Sequence, residues 1–229
     1  MPLDWAIRYA PIVQFIHRCQ PGSILEVGSG PQGLAYFLKN RSIVGTDVKF
    51  GELPASNMRA VSASAESLPF RDRSFELVVS SDMMEHLPAS LRSAVVTEML
   101  RVSTKYLVIG FPSGKFAKLH DTQLHATLER RKAKPLRWLD EHRQHEYPTS
   151  EAIVEALANE RVRYHIKLNA NWRLHRAIVL LQTNYRFNRL VSGLRLDNVK
   201  LASMMAPLWD RPPAYREILF IERTAEPAR

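Results

Sequence analysis

The side chains of this 229-residue chain that can do chemistry fall into three groups. The first is the run Ser23-Ile-Leu-Glu26-Val-Gly28-Ser29-Gly30-Pro-Gln-Gly33-Leu34, in which an acid precedes a Gly-x-Gly-x-x-Gly spacing. Its apolar flanks predict a buried strand, a tight turn and a helix N-terminus whose free N–H groups and dipole face a ligand. Glycine suits such a turn because a Cβ would block both the bend and the close approach of the ligand. The second group follows later apolar runs: Asp47 and Val48 after Ile43–Thr46, Ser64, Ala65 and Glu66 after Arg59–Ala63, and Ser80 and Ser81 after Phe75–Val79. The third is rich in imidazole and carboxylate: Glu85-His86, then His120, Asp121, His125, His142, His145 and Glu146. Imidazoles exchange protons near neutral pH, so general base chemistry is open to them. The spacing of that last cluster matches no standard metal site, and no metal is expected from it.

The elements that must carry these residues alternate in type. Trp5 to Cys19 reads as an amphipathic opening helix, with Ile12, Phe15 and Ile16 on one side. Strands are expected at Ile24–Val27, Ile43–Asp47, Arg59–Ala63, Phe75–Val79 and Tyr106–Gly110, with Leu34–Leu38 opening the first helix after the glycine loop. Ser90 is placed to cap a helix in which Leu91, Val95 and Met99 recur at i, i+4 and i+8. Continuous apolar runs in the first, fourth and fifth strands predict burial on both faces, as in a parallel sheet covered by helices. The resulting expectation is a doubly wound, Rossmann-like α/β fold.

Beyond residue 113 the pattern loosens. Gly114 to Pro148 is polar, basic and histidine-rich, a helical or looped insertion, and Pro148-Thr-Ser-Glu opens a helix through Leu157. Val162 to Leu168 alternates apolar with basic residues, which predicts a strand with one solvated face near the sheet edge. Trp172 to Leu190 reads as one helix, and Glu217 to Glu222 as a late strand. No repeats are found.

Charge is unevenly divided. Residues 1–112 hold 11 Lys/Arg against 10 Asp/Glu, whereas residues 113–229 hold 21 against 13, so nearly all of the formal +9 lies in the second half. That excess can steer an anionic acceptor or meet a phosphate or acidic lipid surface, with Arg173, Arg176, Arg186 and Arg189 as candidate contacts. A solvated basic face is the alternative for those arginines. The single cysteine, Cys19, excludes an internal disulfide framework and fits a reducing compartment. No secretory leader and no apolar run of membrane-spanning length is found, so the expected location is the cytoplasm.

With the elements placed, the chain resembles the class I S-adenosylmethionine-dependent methyltransferases, and within them the ubiquinone/menaquinone-type group. The matching residues are Leu25-Glu-Val-Gly-Ser-Gly30, Thr46-Asp47, Ala65-Glu-Ser-Leu-Pro-Phe-Arg-Asp-Arg-Ser-Phe-Glu-Leu-Val78 and Glu85-His-Leu87. The block from Ala65 is far more specific than the glycine loop. The resemblance implies a seven-stranded methyltransferase sheet, one domain over residues 1–229 with a cofactor half at 1–112, and substrate-side helical insertions at 113–150 and 169–213. It implies S-adenosylmethionine as cofactor. Glu26 would orient the loop and meet the methionine part; Gly28, Ser29 and Gly30 would approach it closely. Asp47 and Val48 would take the ribose end; Ser64, Ala65 and Glu66 would hold the adenine; Ser81 would lie beside the cofactor. An aspartate is common at the position of Ser64, so its contact is the weakest match. His142 becomes the candidate general base, with Glu141 its possible orienting partner; His86 is a second catalytic candidate and Tyr147 a third. Trp138 and Trp172 are candidates to line an apolar pocket.

The expected acceptor is a small molecule or a glycan or lipid intermediate. The chain carries no aromatic-rich basic stripe, and Phe111-Pro-Ser-Gly114 departs from the Asn/Asp-Pro-Pro-aromatic signature of amino-directed base methylation. An RNA-directed enzyme, or a non-catalytic nucleic-acid-binding protein on the same fold, is the alternative. A nicotinamide oxidoreductase also fits Gly28, Gly30, Gly33 and Asp47. It is opposed by the charge of Glu26 within the first strand and by the Ala65–Val78 block, which has no part in hydride transfer.

Overall fold

The structure is a computed structural model, and it describes residues 3–194 and 198–224. Seven strands are formed: β1 (Ile24–Val27), β2 (Ile43–Asp47), β3 (Met58–Ser62), β4 (Phe75–Ser81), β5 (Ser103–Pro112), β6 (Val162–Asn171) and β7 (Ala214–Arg223). They lie in one sheet in the order β3-β2-β1-β4-β5-β7-β6. The first five run parallel, while β7 is antiparallel to both β5 and β6. The strand order reverses between β1 and β4, the place where open α/β sheets bind ligands beyond the carboxyl ends of their strands.

Period-two alternation sends side chains to opposite faces, and here both faces are covered. Leu25, Val27, Val78, Leu107, Ile109, Leu219 and Ile221 join one buried cluster. Ile24, Leu77, Val79, Val108, Ile218 and Phe220 join another. Helix α1 (Leu3–Cys19) covers the second face with Tyr9, Ile12, Val13 and Ile16; helix α2 (Ala89–Val102) covers the first with Val95, Val96, Met99 and Leu100. The two-sided burial expected of the central strands is therefore present.

Helices α3 (Gly114–Arg130), α4 (Arg137–His142) and α5 (Ser150–Glu155) occupy the region read as an insertion and its following helix. Helices α6 (Trp172–Gln182), α7 (Tyr185–Gly193), α8 (Val199–Met204) and α9 (Ala206–Trp209) fill most of the stretch between β6 and β7.

Four local expectations are corrected. The helix after the glycine loop is a single 3-10 turn, Gly33–Tyr36. Gly33, at the first position of the turn, lowers helix propensity there. Helix α2 begins at Ala89 behind Pro88, with no side-chain cap from Ser90. The helix read through Leu190 breaks at Thr183, where Asn184 accepts from the Arg186 N–H and starts α7 anew. Strand β6 is the outermost strand, as expected, but it lacks a buried apolar face: Tyr164 and Ile166 are 48% and 43% exposed.

Candidate active site

The carboxyl ends of β1, β2 and β4 gather most of the predicted cofactor residues. The Gly28 and Ser29 N–H groups donate to Thr46 O at 2.8 and 3.0 Å, tying the loop to β2. Gly28, Gly30 and Gly33 all have positive φ (74°, 55° and 41°), the region open to glycine without strain. At Gly33 space matters as well, because a Cβ there would lie 2.2 Å from Glu26 Oε2. Glu26 itself is fully buried; its carboxylate accepts from Leu34 N at 2.6 Å and from the Tyr9 hydroxyl at 2.9 Å. Burial outweighs these bonds and pushes its pKa up to about 7. The acid thus anchors the loop from behind, and α1 supplies a partner that the glycine spacing could not reveal.

Gly30 N–H donates to Asp47 Oδ2 at 2.9 Å, and nothing lies within 4 Å of where a Gly30 Cβ would stand, so the loop surface is open there. Val48 is 75% exposed beside Asp47, an apolar surface left for a partner. Ser29 is buried, its hydroxyl donating to Gly30 O at 2.9 Å. Ser80 and Ser81 are buried at the end of β4, and neither hydroxyl has a hydrogen-bond partner among the described residues. Ser64 is exposed, its Oγ accepting from Glu66 N at 3.3 Å; Ala65 packs against the core and Glu66 is exposed. These three follow β3, whose Ser62 is in register with Asp47.

Immediately after Ser81 the chain enters a cavity of about 450 Å³. Asp82 lines it in a left-handed conformation (φ 54°), held by its N–H donating to Gly110 O at 2.8 Å. Arg216, from β7, grips the Asp82 carboxylate with two bonds of 2.6 Å, and Arg8, from α1, pairs with it at 3.0 Å. Burial would raise this carboxyl, but Arg216 and then Arg8 outweigh it and hold it below its ordinary value. Trp138 and His142 come to the wall from the first predicted insertion, His175 and Val179 from the second. Trp5 and Arg8 of α1 complete it, a contribution that composition did not suggest. Trp172 is instead packed against Ala117 and Tyr215.

Behind the wall, the fully buried Asp121 receives four donors: His120 Nδ1 at 2.6 Å, Tyr147 OH at 2.7 Å, His142 Nδ1 at 3.0 Å and Tyr215 OH at 3.2 Å. Burial raises its pKa, yet the His120 and His142 bonds win and bring it to about 2. An ionised Asp121 fixes the tautomers by elimination. His142 Nε2 lies 3.5 Å from Glu85 Oε1, and its Nδ1 donates to Asp121. His120 Nδ1 also donates to Asp121, and its Nε2 accepts from His175 Nδ1 at 3.0 Å. His175 Nε2 is buried with no hydrogen-bond partner among the described residues, and His175 lines the cavity. Burial, then His120, pushes the His175 pKa well down and keeps it neutral. Asp121, not Glu141, orients His142: Glu141 lies 3.4 Å from His86 Nδ1 and bonds Arg137 at 2.8 Å.

Glu85 and His86 sit in a 3-10 turn, Met84–His86, whose carbonyls are pinned by buried Arg92: its guanidinium donates to Met84 O and Leu87 O, each at 3.0 Å, and to Glu146 O. His86 lines the cavity with its ring 4.8 Å from that of His142, and burial, then His142, lowers its pKa. Glu85 is 1% exposed, and neither carboxylate oxygen has a hydrogen-bond partner among the described residues. Burial first, then Asp82, raises its pKa well above the ordinary carboxylate range. His125 is turned away to Glu129 (3.3 Å) and Asp140 (3.6 Å), and like His145 it is absent from the wall. The sequence alone did not mark Tyr9, Arg8, Asp82, His175, Tyr215 or Arg216; each acts through contacts far away in the chain.

Residues 25–106 match the family model described as "Methyltransferase domain". A protein named an uncharacterized methyltransferase, from Mycobacterium sp. (strain KMS), is 36% identical over 109 residues, covering 44% of this chain. The chain spans only 42% of that relative's length. Among solved structures, the methyltransferase domain of bacterial CtHen1 superimposes with a TM-score of 0.58 at 13% identity, covering 97% of this chain and 100% of the other. Phosphoethanolamine N-methyltransferase 2 of Haemonchus contortus, solved with phosphomonomethylethanolamine and S-adenosylhomocysteine, gives 0.57 at 13% identity, covering 95% and 53%. At such identities these two structures show a shared fold.

Proposed function

We propose that residues 25–106, which match the methyltransferase-domain model, form a class I, S-adenosylmethionine-dependent methyltransferase domain, and that the protein transfers a methyl group from S-adenosylmethionine to an acceptor held in the adjoining cavity. The observation that carries this is the junction at Ser81–Asp82: the loop edge ends there and the cavity begins. Donors and surfaces on the edge fit the cofactor. Asp47 is half-buried with carboxylate capacity left for ribose hydroxyls, Val48 offers apolar cover for the adenine, and the open face at Gly30 admits the methionine part. The unpartnered hydroxyls of Ser80 and Ser81 are buried polar groups that a ligand would satisfy. Ser64, Ala65 and Glu66 complete the adenine side, with Glu26 holding the loop.

When bound, the cofactor supplies an electrophilic sulfonium methyl group, so alignment and exclusion of water are the protein's main tasks. The cavity walls perform the second. An acceptor hydroxyl or amine must also lose a proton; His142, steadied by Asp121, and His86 beside it are the groups that act on it. The mixed wall of Trp5, Trp138 and His175 near paired Arg8 and Arg216 suits a small molecule, or a glycan or lipid intermediate, with one polar end. Cys19, unpaired, is in keeping with a reducing compartment such as the cytoplasm; no helix among the described residues is long and apolar enough to cross a membrane. Titration with S-adenosylmethionine, S-adenosylhomocysteine and NADH in parallel tests the reading. Binding of the two adenosyl ligands alone supports it; binding of NADH, or of none, overturns it.

A further inference from the structure

Glu85, buried next to the cavity-lining His86 and His142, is an anomaly. A carboxylate buried to 1% exposure normally carries hydrogen bonds, because removing it from water is costly when nothing replaces the hydration. Arg92, the nearby buried cation, spends its guanidinium on the carbonyls of Met84, Leu87 and Glu146 instead. His142 Nε2 lies 3.5 Å from Glu85 Oε1 without making a hydrogen bond. Protonation would give one oxygen an acceptor, His142 Nε2, and leave the other without a partner among the described residues.

Three donor atoms, one each from Glu85, His86 and His142, lie within 4.8 Å of one another. Each histidine is backed by a carboxylate on its Nδ1 side, His142 by Asp121 at 3.0 Å and His86 by Glu141 at 3.4 Å. That arrangement fixes an imidazole with its Nε2 lone pair pointing away from the carboxylate, the second-layer pattern of metal-ligating histidines. The backing, the bare carboxylate and the open cavity in front are independent of one another.

We infer that Glu85, His86 and His142 form a binding site for a first-row divalent cation, open on its cavity side to an oxygen or nitrogen of the acceptor. Two imidazoles and one carboxylate suit Zn²⁺, Fe²⁺, Co²⁺ or Mn²⁺, whereas Mg²⁺ favours oxygen donors. The inference replaces the proton-accepting role just given to His142 and His86 with ligation, and it rests on the methyltransferase reading for the acceptor's chemistry but not for the site. A hydroxyl bound to the cation ionises near neutral pH and gives its proton to solvent. Its oxygen can then form the new O–CH₃ bond as the cofactor's S–CH₃ bond breaks, with no free imidazole needed.

The test uses the full chain, free of a histidine tag and stripped with chelator, titrated with Co²⁺ alone and followed by visible absorption and calorimetry. One ion per chain is expected, with the d–d spectrum of a nitrogen–oxygen site. Glu85→Gln, His86→Asn and His142→Asn should each weaken binding more than tenfold, and Asp121→Asn about 10–100-fold. His125→Asn, in the surface group with Glu129 and Asp140, should leave it unchanged. If Glu85→Gln does not fold, His86→Asn decides, since His86 is partly exposed. Absence of stoichiometric binding, or binding lost with His125→Asn but kept with His86→Asn, overturns the site. S-Adenosylhomocysteine titration of the same metal-free protein judges the methyltransferase reading separately: its loss with cobalt binding intact would remove that reading and leave the cation site.

Discussion

Along the glycine-loop edge, the bonds that shape the site are short in sequence. Glu26 reaches Leu34 eight residues on, and Gly30 reaches Asp47 seventeen residues on. Across the cavity wall they are long: His120 to His175 spans 55 residues, Tyr215 to Asp121 spans 94 and Arg216 to Asp82 spans 134. The edge can be built by two strands and a turn, so its chemistry is written in one motif. The wall needs α1, β4, α3, α4, α6 and β7 together, and its polar groups are matched to one another across the core. The contrast teaches where substitutions should be felt: at the edge mainly in cofactor binding, and at the wall in turnover and stability together.

The sharpest way to break the contrast is His142→Ala. Turnover with the true acceptor should fall by about 10²–10⁴-fold, while affinity for S-adenosylhomocysteine stays within about twofold of the parent; full activity would remove His142 from the chemistry. Asp121→Ala should follow in size. It strands four donors, three of them buried, and urea unfolding should show a loss of about 3–5 kcal/mol. A loss below about 1 kcal/mol would mean that the wall does not depend on its buried acid.

Glu26 reverses the expectation that a buried edge acid stabilises the fold when ionised. Its pKa is about 7 in the folded protein against an ordinary 4.5. The folded state therefore holds a proton that the unfolded chain releases first, and stability from this group is full below about pH 4.5 and is lost as pH rises to about 7. The pKa difference corresponds to an upper bound of about 3 kcal/mol. Glu26→Gln should flatten that slope in paired pH–stability curves, and parallel curves for both proteins would refute it. Asp47→Ala should have the smallest effect: S-adenosylmethionine binding weakened by about 1.5–3 kcal/mol in calorimetry, with the melting temperature little changed because Asp47 is only half-buried. Unchanged affinity would take Asp47 out of the binding edge.

Much of the fold was legible because apolar runs and glycines act locally. Ile24–Val27, Ile43–Asp47 and the core of the later strands were placed from burial patterns alone. The 3-10 turn at Gly33–Tyr36 was not, since a short apolar run does not distinguish a single tight turn from the start of an α-helix. In the histidine-rich insertion, composition picked out His120, Asp121 and His142 but gave them no partners, and it proposed Glu141 where the fold uses Asp121. Expecting no metal from the spacing of residues 120–146 looked within one segment. The proposed ligand set joins His142 to Glu85 and His86, which belong to the turn after β4.

The sequence by itself determined the parallel core, the bend of the glycine loop and the placing of Glu26 and Asp47 at strand ends, because strand period and backbone sterics are properties of neighbouring residues. Only the tertiary structure decided that Asp121 serves the cavity histidine His142, His120 behind it and their tyrosine neighbours, that Arg216 and Arg8 neutralise Asp82, and that Glu85 is buried with no hydrogen-bond partner among the described residues. Those facts depend on burial and on distances between segments far apart in the chain, where the low dielectric of the interior makes each pairing matter and no local pattern records it.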